Sequence, residues 1–142
     1  MTGASFAIVD SGPLVAALDA DDEDHERSLA ILRRPDLRFV IPSMVVAEVC
    51  YMAAKYLGSA AEAAFLRGLA RYDVQAPFAE DWPRIAALVE QYAGFPLGGT
   101  DASVIVLAER LATDLIVTLD ERHFRVVRPR HVEAFRLLPA DA

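Results

Sequence analysis

Two short runs, FAIVD at residues 6–10 and LIVTLD at residues 115–120, constrain this chain more than any other feature. Each is almost continuously apolar and rich in β-branched residues, and each closes on an aspartate. Strict alternation of apolar and polar residues marks a strand with one wet face. An unbroken apolar run fits a strand covered on both faces, as in parallel sheets. RFVIP at residues 38–42 reads as another strand and DVQAP at residues 73–77 as a brief one. A further short strand is expected around residues 125–127 or 135–138.

Helical stretches separate these runs. SGPLVAAL, residues 11–18, has Ser11 as a capping residue and Pro13 in its first turn. HERSLAILRR, residues 25–34, is stopped by Pro35. The next helix starts at a Ser43 cap and ends at Gly58. Residues 59–72 read as amphipathic through Ala63, Leu66 and Leu69 or Ala70. Residues 80–93 open on acids and Pro83 and carry Ile85, Leu88, Val89 and Tyr92 on one face, with Trp82 as a packing anchor. After the flexible Gly98-Gly99 approach, Thr100 is a good cap, and residues 102–111 are so uniformly apolar that their helix must be central. Strands alternating with helices predict an α/β fold, a three-layer α/β/α domain around a short central parallel sheet. No repeat, linker or low-complexity segment divides it, so residues 1–142 read as a single domain.

Composition agrees. A chain of 142 residues that is 54% hydrophobic can bury a core without staples. Its one cysteine, Cys50, rules out an internal disulfide, suits a reducing compartment and reads as core. No positively charged leader precedes an apolar core, and the apolar runs are too broken to span a membrane, so a soluble, cytoplasmic protein is expected. A net charge of -7 argues against nucleic-acid binding by bulk charge. The charge is nevertheless segregated. Acids crowd DADDEDHE at residues 19–26, whereas Arg122, Arg125, Arg128, Arg130 and Arg136 fall near the C-terminus.

Four acids stand in apolar context. Asp10 and Asp120 end strands, and ligands of open parallel sheets bind beyond the carboxyl ends of the strands. Asp101 lies in the first turn of the central helix. Glu48 sits in PSMVVAEVCYMAA, a helix apolar almost all the way round. Burying an unpaired carboxylate costs several kcal/mol, and a helical partner would sit three or four residues away. Those positions are Met44, Val45, Tyr51 and Met52, none of them basic. Singly, each acid has a plain explanation: a helix-dipole partner for Asp101, turn residues for Asp10 and Asp120, a remote arginine for Glu48. Jointly they suggest converging carboxylates, which repel one another unless neutralised, and all-oxygen ligands select hard cations such as Mg2+ or Mn2+. Ions held this way activate water for phosphodiester cleavage. His25, His123 and His131 offer no zinc-like pattern.

VDSGPLVAAL, PSMVVAEV, GGTDASVIVLAERL and IVTLDERHF, in this order, resemble the PIN-domain pattern, and within it the VapC-type toxins of bacterial toxin–antitoxin pairs. The resemblance covers essentially the whole chain. It implies that Asp10, Glu48, Asp101 and Asp120 form a metal-binding acidic pocket, and that Ser11 and Thr118 support it through hydrogen bonds. It further implies a Mg2+- or Mn2+-dependent endoribonuclease cutting structured RNA such as tRNA or rRNA. A homodimer and a VapB-type antitoxin, whose C-terminal tail blocks the pocket and often sets an arginine against it, are implied as well. Arg122, Arg125, Arg128 and Arg130, close after Asp120, then become candidate phosphate contacts.

Rival readings fare unevenly. An aspartyl-phosphate phosphatase needs a second Asp two residues after the first, where this chain has Gly12. A receiver-type switch needs a lysine facing the acids, and the sole lysine, Lys55, lies in the Glu48 helix. A non-catalytic PIN-like interaction module binding a partner protein remains the alternative; metal titration coupled to RNA cleavage separates the two.

Overall fold

The computed structural model describes residues 5–142. Five strands, β1 (Ser5–Val9), β2 (Leu37–Pro42), β3 (Asp73–Gln75), β4 (Leu115–Val117) and β5 (Arg136–Leu138), form one sheet in the order β3-β2-β1-β4-β5, and every pairing is parallel. Ile8 lies opposite Val40 on one side and Ile116 on the other. The chain works outward from β1 to β3, then returns to build β4 and β5 on the opposite flank. Strand order therefore reverses between β1 and β4, and ligands of open parallel sheets bind beyond the carboxyl ends of the strands at such a point.

Among the described residues, seven α-helices connect and cover the strands: α1 (Ser11–Leu18), α2 (His25–Leu32), α3 (Ser43–Tyr56), α4 (Ser59–Gly68), α5 (Trp82–Gln91), α6 (Gly99–Arg110) and α7 (Glu121–Val126). Short 3-10 turns follow α4 and precede α5. Every residue from Ala102 to Ala108 is buried, so α6 is the central helix its composition predicts. Ala7, Ile8 and Val9 are sealed on both faces of the sheet, as the unbroken apolar run requires.

Polar links hold α5, α6 and the sheet in register. Arg84 on α5 grips Glu109 on α6 through two hydrogen bonds of 3.2 and 2.9 Å, and Glu109 also accepts from the Arg130 amide at 2.9 Å. Arg110 bonds Asp81 at 2.6 Å and Gln75 at 3.0 Å and lies 3.8 Å over the Phe78 ring. The buried Thr113 hydroxyl donates to the Phe6 carbonyl at 2.6 Å and accepts the Leu115 amide at 3.2 Å, fixing the entry to β4 against β1.

Several local expectations are corrected. Ser11, Ser43 and Thr100 cap nothing. The N-cap positions belong to Asp10, Pro42 and Gly98, and each serine or threonine lies inside its helix. Gly58 does end the α3 region, at φ +97, a backbone conformation that favours glycine. On α4 the buried residue is Phe65, while Leu66 is 47% exposed, so the apolar stripe is turned by about one position. Trp82 is 49% exposed because the 3-10 turn sets it at the outer start of α5. Of the two candidates for the last strand, residues 136–138 form it, and residues 125–127 fall in and just after α7. Finally, α3 buries only one side, Val45, Val49 and Ala53; Tyr51 and Tyr56 stand in water on either side of Lys55.

Candidate functional site

The four acids gather near the carboxyl ends of β1 and β4. Asp10 follows β1 directly, and its amide donates to the Val117 carbonyl at 2.9 Å, which locks it to β4. Thr118, one residue beyond β4, donates its hydroxyl to Asp10 Oδ2 at 2.8 Å and accepts the Asp120 amide at 3.0 Å. One buried threonine thus positions both strand-end aspartates. Asp10 is 5% exposed, and its Oδ1 is buried without a hydrogen-bond partner among the described residues. The Ser11 amide favours the Asp10 charge without making a bond of ordinary geometry to that oxygen. Burial pushes the Asp10 carboxyl up to about 7; Thr118 and Ser11 oppose the shift, and Asp101 and Glu48 add repulsion.

The remaining acids arrive on helices. Glu48, half-buried on α3, accepts the hydroxyl of Ser11 at the start of α1. The partner comes from a neighbouring element, as the absence of a basic residue one turn away demands. Asp101, third residue of α6, accepts the Gly98 amide at 3.2 Å and completes the first turn of its own helix. Its carboxyl is raised by burial, with repulsion from Asp120 and Glu48, against the opposing effects of the Gly98 bond and His123. Asp120 caps α7. Its Oδ1 accepts the His123 amide at 3.1 Å, and its Oδ2 faces His123 Nδ1 at 2.5 Å. That bond to Asp120 is the main cause holding the His123 imidazolium above its ordinary range.

Mutual repulsion links Asp10 to Asp101 and Glu48, and Asp101 to Asp120 and Glu48, so the four behave as one electrostatic group. Each side chain is nevertheless turned to a local donor: Thr118, Ser11, Gly98 or His123. Among the described residues no three His, Cys, Asp or Glu side chains sit close enough together, as placed, to hold one ion. The donor set suits a cation: four carboxylates, no competing lysine, and one buried oxygen with no hydrogen-bond partner among the described residues.

The four candidate arginines separate. Arg125 is held by Glu121 at 3.1 Å and Asp141 at 2.8 Å. Arg122, Arg128 and Arg130 are exposed; the backbone amide of Arg128 bonds the Tyr92 hydroxyl at 3.0 Å and that of Arg130 bonds Glu109. Among the described residues none of the four guanidinium groups bonds a site carboxylate. Sequence reasoning set His123 aside, yet it touches the site. Its spacing of three from Asp120, at the start of a helix, was the available signal. Away from the acids, α1, α2, β2 and α4 border an open groove of about 790 Å³ with Leu14, Leu32 and Phe65 on its apolar lining and Arg33, Arg38 and Arg71 exposed beside them.

The PIN domain family model matches residues 7–129. Ribonuclease VapC26 of Mycobacterium tuberculosis (strain ATCC 25618 / H37Rv) is 34% identical over 134 residues, covering 93% of this chain and 99% of that protein. Among solved structures, the fold is similar to Mycobacterium tuberculosis VapC20, described as a sarcin-ricin loop cleaving toxin (TM-score 0.76, 15% identity, 92% of this chain and 99% of that one). It is also similar to a chain of VapBC2 from Rickettsia felis, solved bound to a DNA fragment from its promoter (TM-score 0.66, 18% identity, 93% and 98%). A toxin–antitoxin complex from Klebsiella pneumoniae contains a third (TM-score 0.60, 20% identity, 83% and 89%).

Proposed function

Because this chain belongs to the PIN domain family, we propose that it is a VapC-type endoribonuclease toxin, dependent on Mg2+ or Mn2+, cutting structured RNA such as tRNA or rRNA. The observation that carries the reading is Asp10. A buried carboxylate with one oxygen anchored on Thr118 and the other without a hydrogen-bond partner among the described residues, in a group of four acids at the switch point of a parallel sheet, is costly in itself. A divalent cation removes that cost. Bound there, the ion supplies an activated water and charge neutralisation at the phosphate.

In this reading Asp10, Glu48, Asp101 and Asp120 hold the ion. Thr118 and Ser11 set the directions of Asp10 and Glu48, and Thr118 ties Asp120 to the same unit through its backbone. Their negative field also requires cations nearby to seat RNA phosphates. The exposed Arg122 and Arg128 are better candidates than Arg125, whose guanidinium is occupied by Glu121 and Asp141. Identity to a named ribonuclease over nearly the full length of both chains supports the RNA substrate.

A cognate VapB-type antitoxin is the proposed regulator, supported by the toxin–antitoxin complexes among the similar structures. An antitoxin arginine would complement the acid cluster, and the arginine-edged groove suits an acidic, amphipathic antitoxin segment. A homodimer is proposed through the outer side of α3, where Tyr51 and Tyr56 are exposed. The site of action is the cytoplasm. No helix among the described residues is long and apolar enough to cross a membrane.

The test is made in cells. Wild type and Asp101→Asn are induced in parallel and new RNA 5′ ends are mapped across the transcriptome. Discrete ends in a stable RNA that vanish with Asp101→Asn are the expected result. Soluble, expressed wild-type protein that generates no new ends would refute the nuclease and favour the partner-binding module.

A further inference from the structure

We propose that Phe95 is a base-stacking platform that fixes which nucleotide lies beside the scissile phosphate; this rests on the nuclease reading of the same site. Phe95 lies in the turn between α5 and α6 and is 36% exposed. Its ring packs edge-to-face with the His123 ring at a centroid distance of 6.4 Å and an interplanar angle of 77°. His123 in turn bonds Asp120 through both its backbone amide and its ring. One aromatic residue thus separates the exposed Phe95 ring from the acid cluster.

Other large aromatic side chains exposed on this protein are occupied or remote. Arg110 covers Phe78, Lys55 lies over Tyr51 and Tyr56, and Trp82 sits at the outer start of α5. Phe95 is the one among the described residues that touches a residue bonded to the site. Its turn is held at both ends. The Phe95 amide donates to the Tyr92 carbonyl at 2.9 Å, the Tyr92 hydroxyl accepts the Arg128 amide at 3.0 Å, and Leu97 is buried in the core. A ring on an anchored turn loses little entropy when a base stacks on it. Two exposed arginines are close in the chain to the groups that hold it: Arg122 precedes His123, and Arg128 makes the bond to Tyr92. Unstacked nucleotides are commonly gripped with the base on an aromatic ring and the phosphates on cations, and Arg122 and Arg128 are the candidates for that second part.

The test uses the full chain with Mn2+ and a library built on the structured RNA site mapped in cells, with the nucleotides around the cut randomised, comparing wild type, Phe95→Ala, Phe95→Leu and Phe95→Trp. KM, kcat and base frequencies around each cut are read, with Mn2+ affinity measured separately. Losing one stacked base is expected to raise KM roughly 5-fold to 150-fold. Phe95→Ala is also expected to flatten the base preference at one position while leaving Mn2+ affinity unchanged. Phe95→Trp restores both properties and Phe95→Leu neither. Unchanged KM and preference in Phe95→Ala overturn the platform, and so does full rescue by Phe95→Leu, which would make the ring mere packing. If wild type cuts no member of the library, the nuclease reading falls, and the stacking role falls with it.

Discussion

Replacing Asp10 by Asn is expected to stabilise the metal-free protein while removing its function. Burial lifts the Asp10 carboxyl from 3.8 to about 7. A raised acid means that the folded state binds the proton more tightly than the unfolded chain. Stability is therefore lost as pH rises from the unfolded value toward 7 and is not regained above it. At about 1.4 kcal/mol per pH unit, the whole penalty is roughly 4 kcal/mol, and about 3 kcal/mol of it develops between pH 5 and pH 8. Asparagine carries no charge and keeps an oxygen for the Thr118 hydroxyl, but it leaves a buried amide unpaired at a cost of about 1–3 kcal/mol. Net stabilisation at pH 8 is then roughly 1–3 kcal/mol, shrinking to nothing or reversing at pH 5. The assay is urea unfolding of both proteins in chelator at the two pH values, repeated with Mn2+, which should stabilise the wild type far more than the variant. A stability difference that stays the same at pH 5 and pH 8 would refute the claim that Asp10 carries the desolvation penalty.

Glu48→Gln is expected to lower Mn2+ affinity at least about tenfold without unfolding the protein, since Gln can still accept the Ser11 hydroxyl; wild-type affinity by calorimetry would remove Glu48 from the ligand set. Glu109→Ala strips partners from Arg84 and the Arg130 amide and is expected to cost about 2 kcal/mol in urea unfolding, whereas an effect under about 0.5 kcal/mol would mean that solvent replaces the network. Alanine at both Arg122 and Arg128 is expected to reduce the slope of log affinity against log salt for single-stranded RNA by about 1.4. Arg125→Ala should change it less, because Glu121 and Asp141 already neutralise that side chain.

The acids were legible because each interrupts or closes an apolar run, so their chemistry conflicts with their neighbours. FAIVD and LIVTLD predicted the central strand β1 and its parallel neighbour β4, which follow from the cost of leaving an unbroken apolar run in water. Caps were read less well. Ser11, Ser43 and Thr100 all look like N-caps locally, but the Ser11 hydroxyl is claimed by Glu48, a bond across 37 residues that no window of sequence contains. Helical spacing put Leu66 on the apolar face and residue type made Trp82 a packing anchor, but the packing directions of α4 and α5 leave both largely in water.

The sequence by itself determined the elements and their layering, because periodicity and apolar content are local properties that follow from burying hydrophobic surface. It also determined which acids were anomalous. Only the tertiary structure decided that β1 lies between β2 and β4, so that Asp10 and Asp120 meet across one threonine. It alone turned each carboxylate to a particular donor, paired Arg125 with Asp141 rather than leaving it for phosphate, and set Phe95 against His123. Those outcomes depend on contacts between residues distant in the chain. Hydrogen bonds and ion pairs act over a few ångströms in space, whatever the separation in sequence.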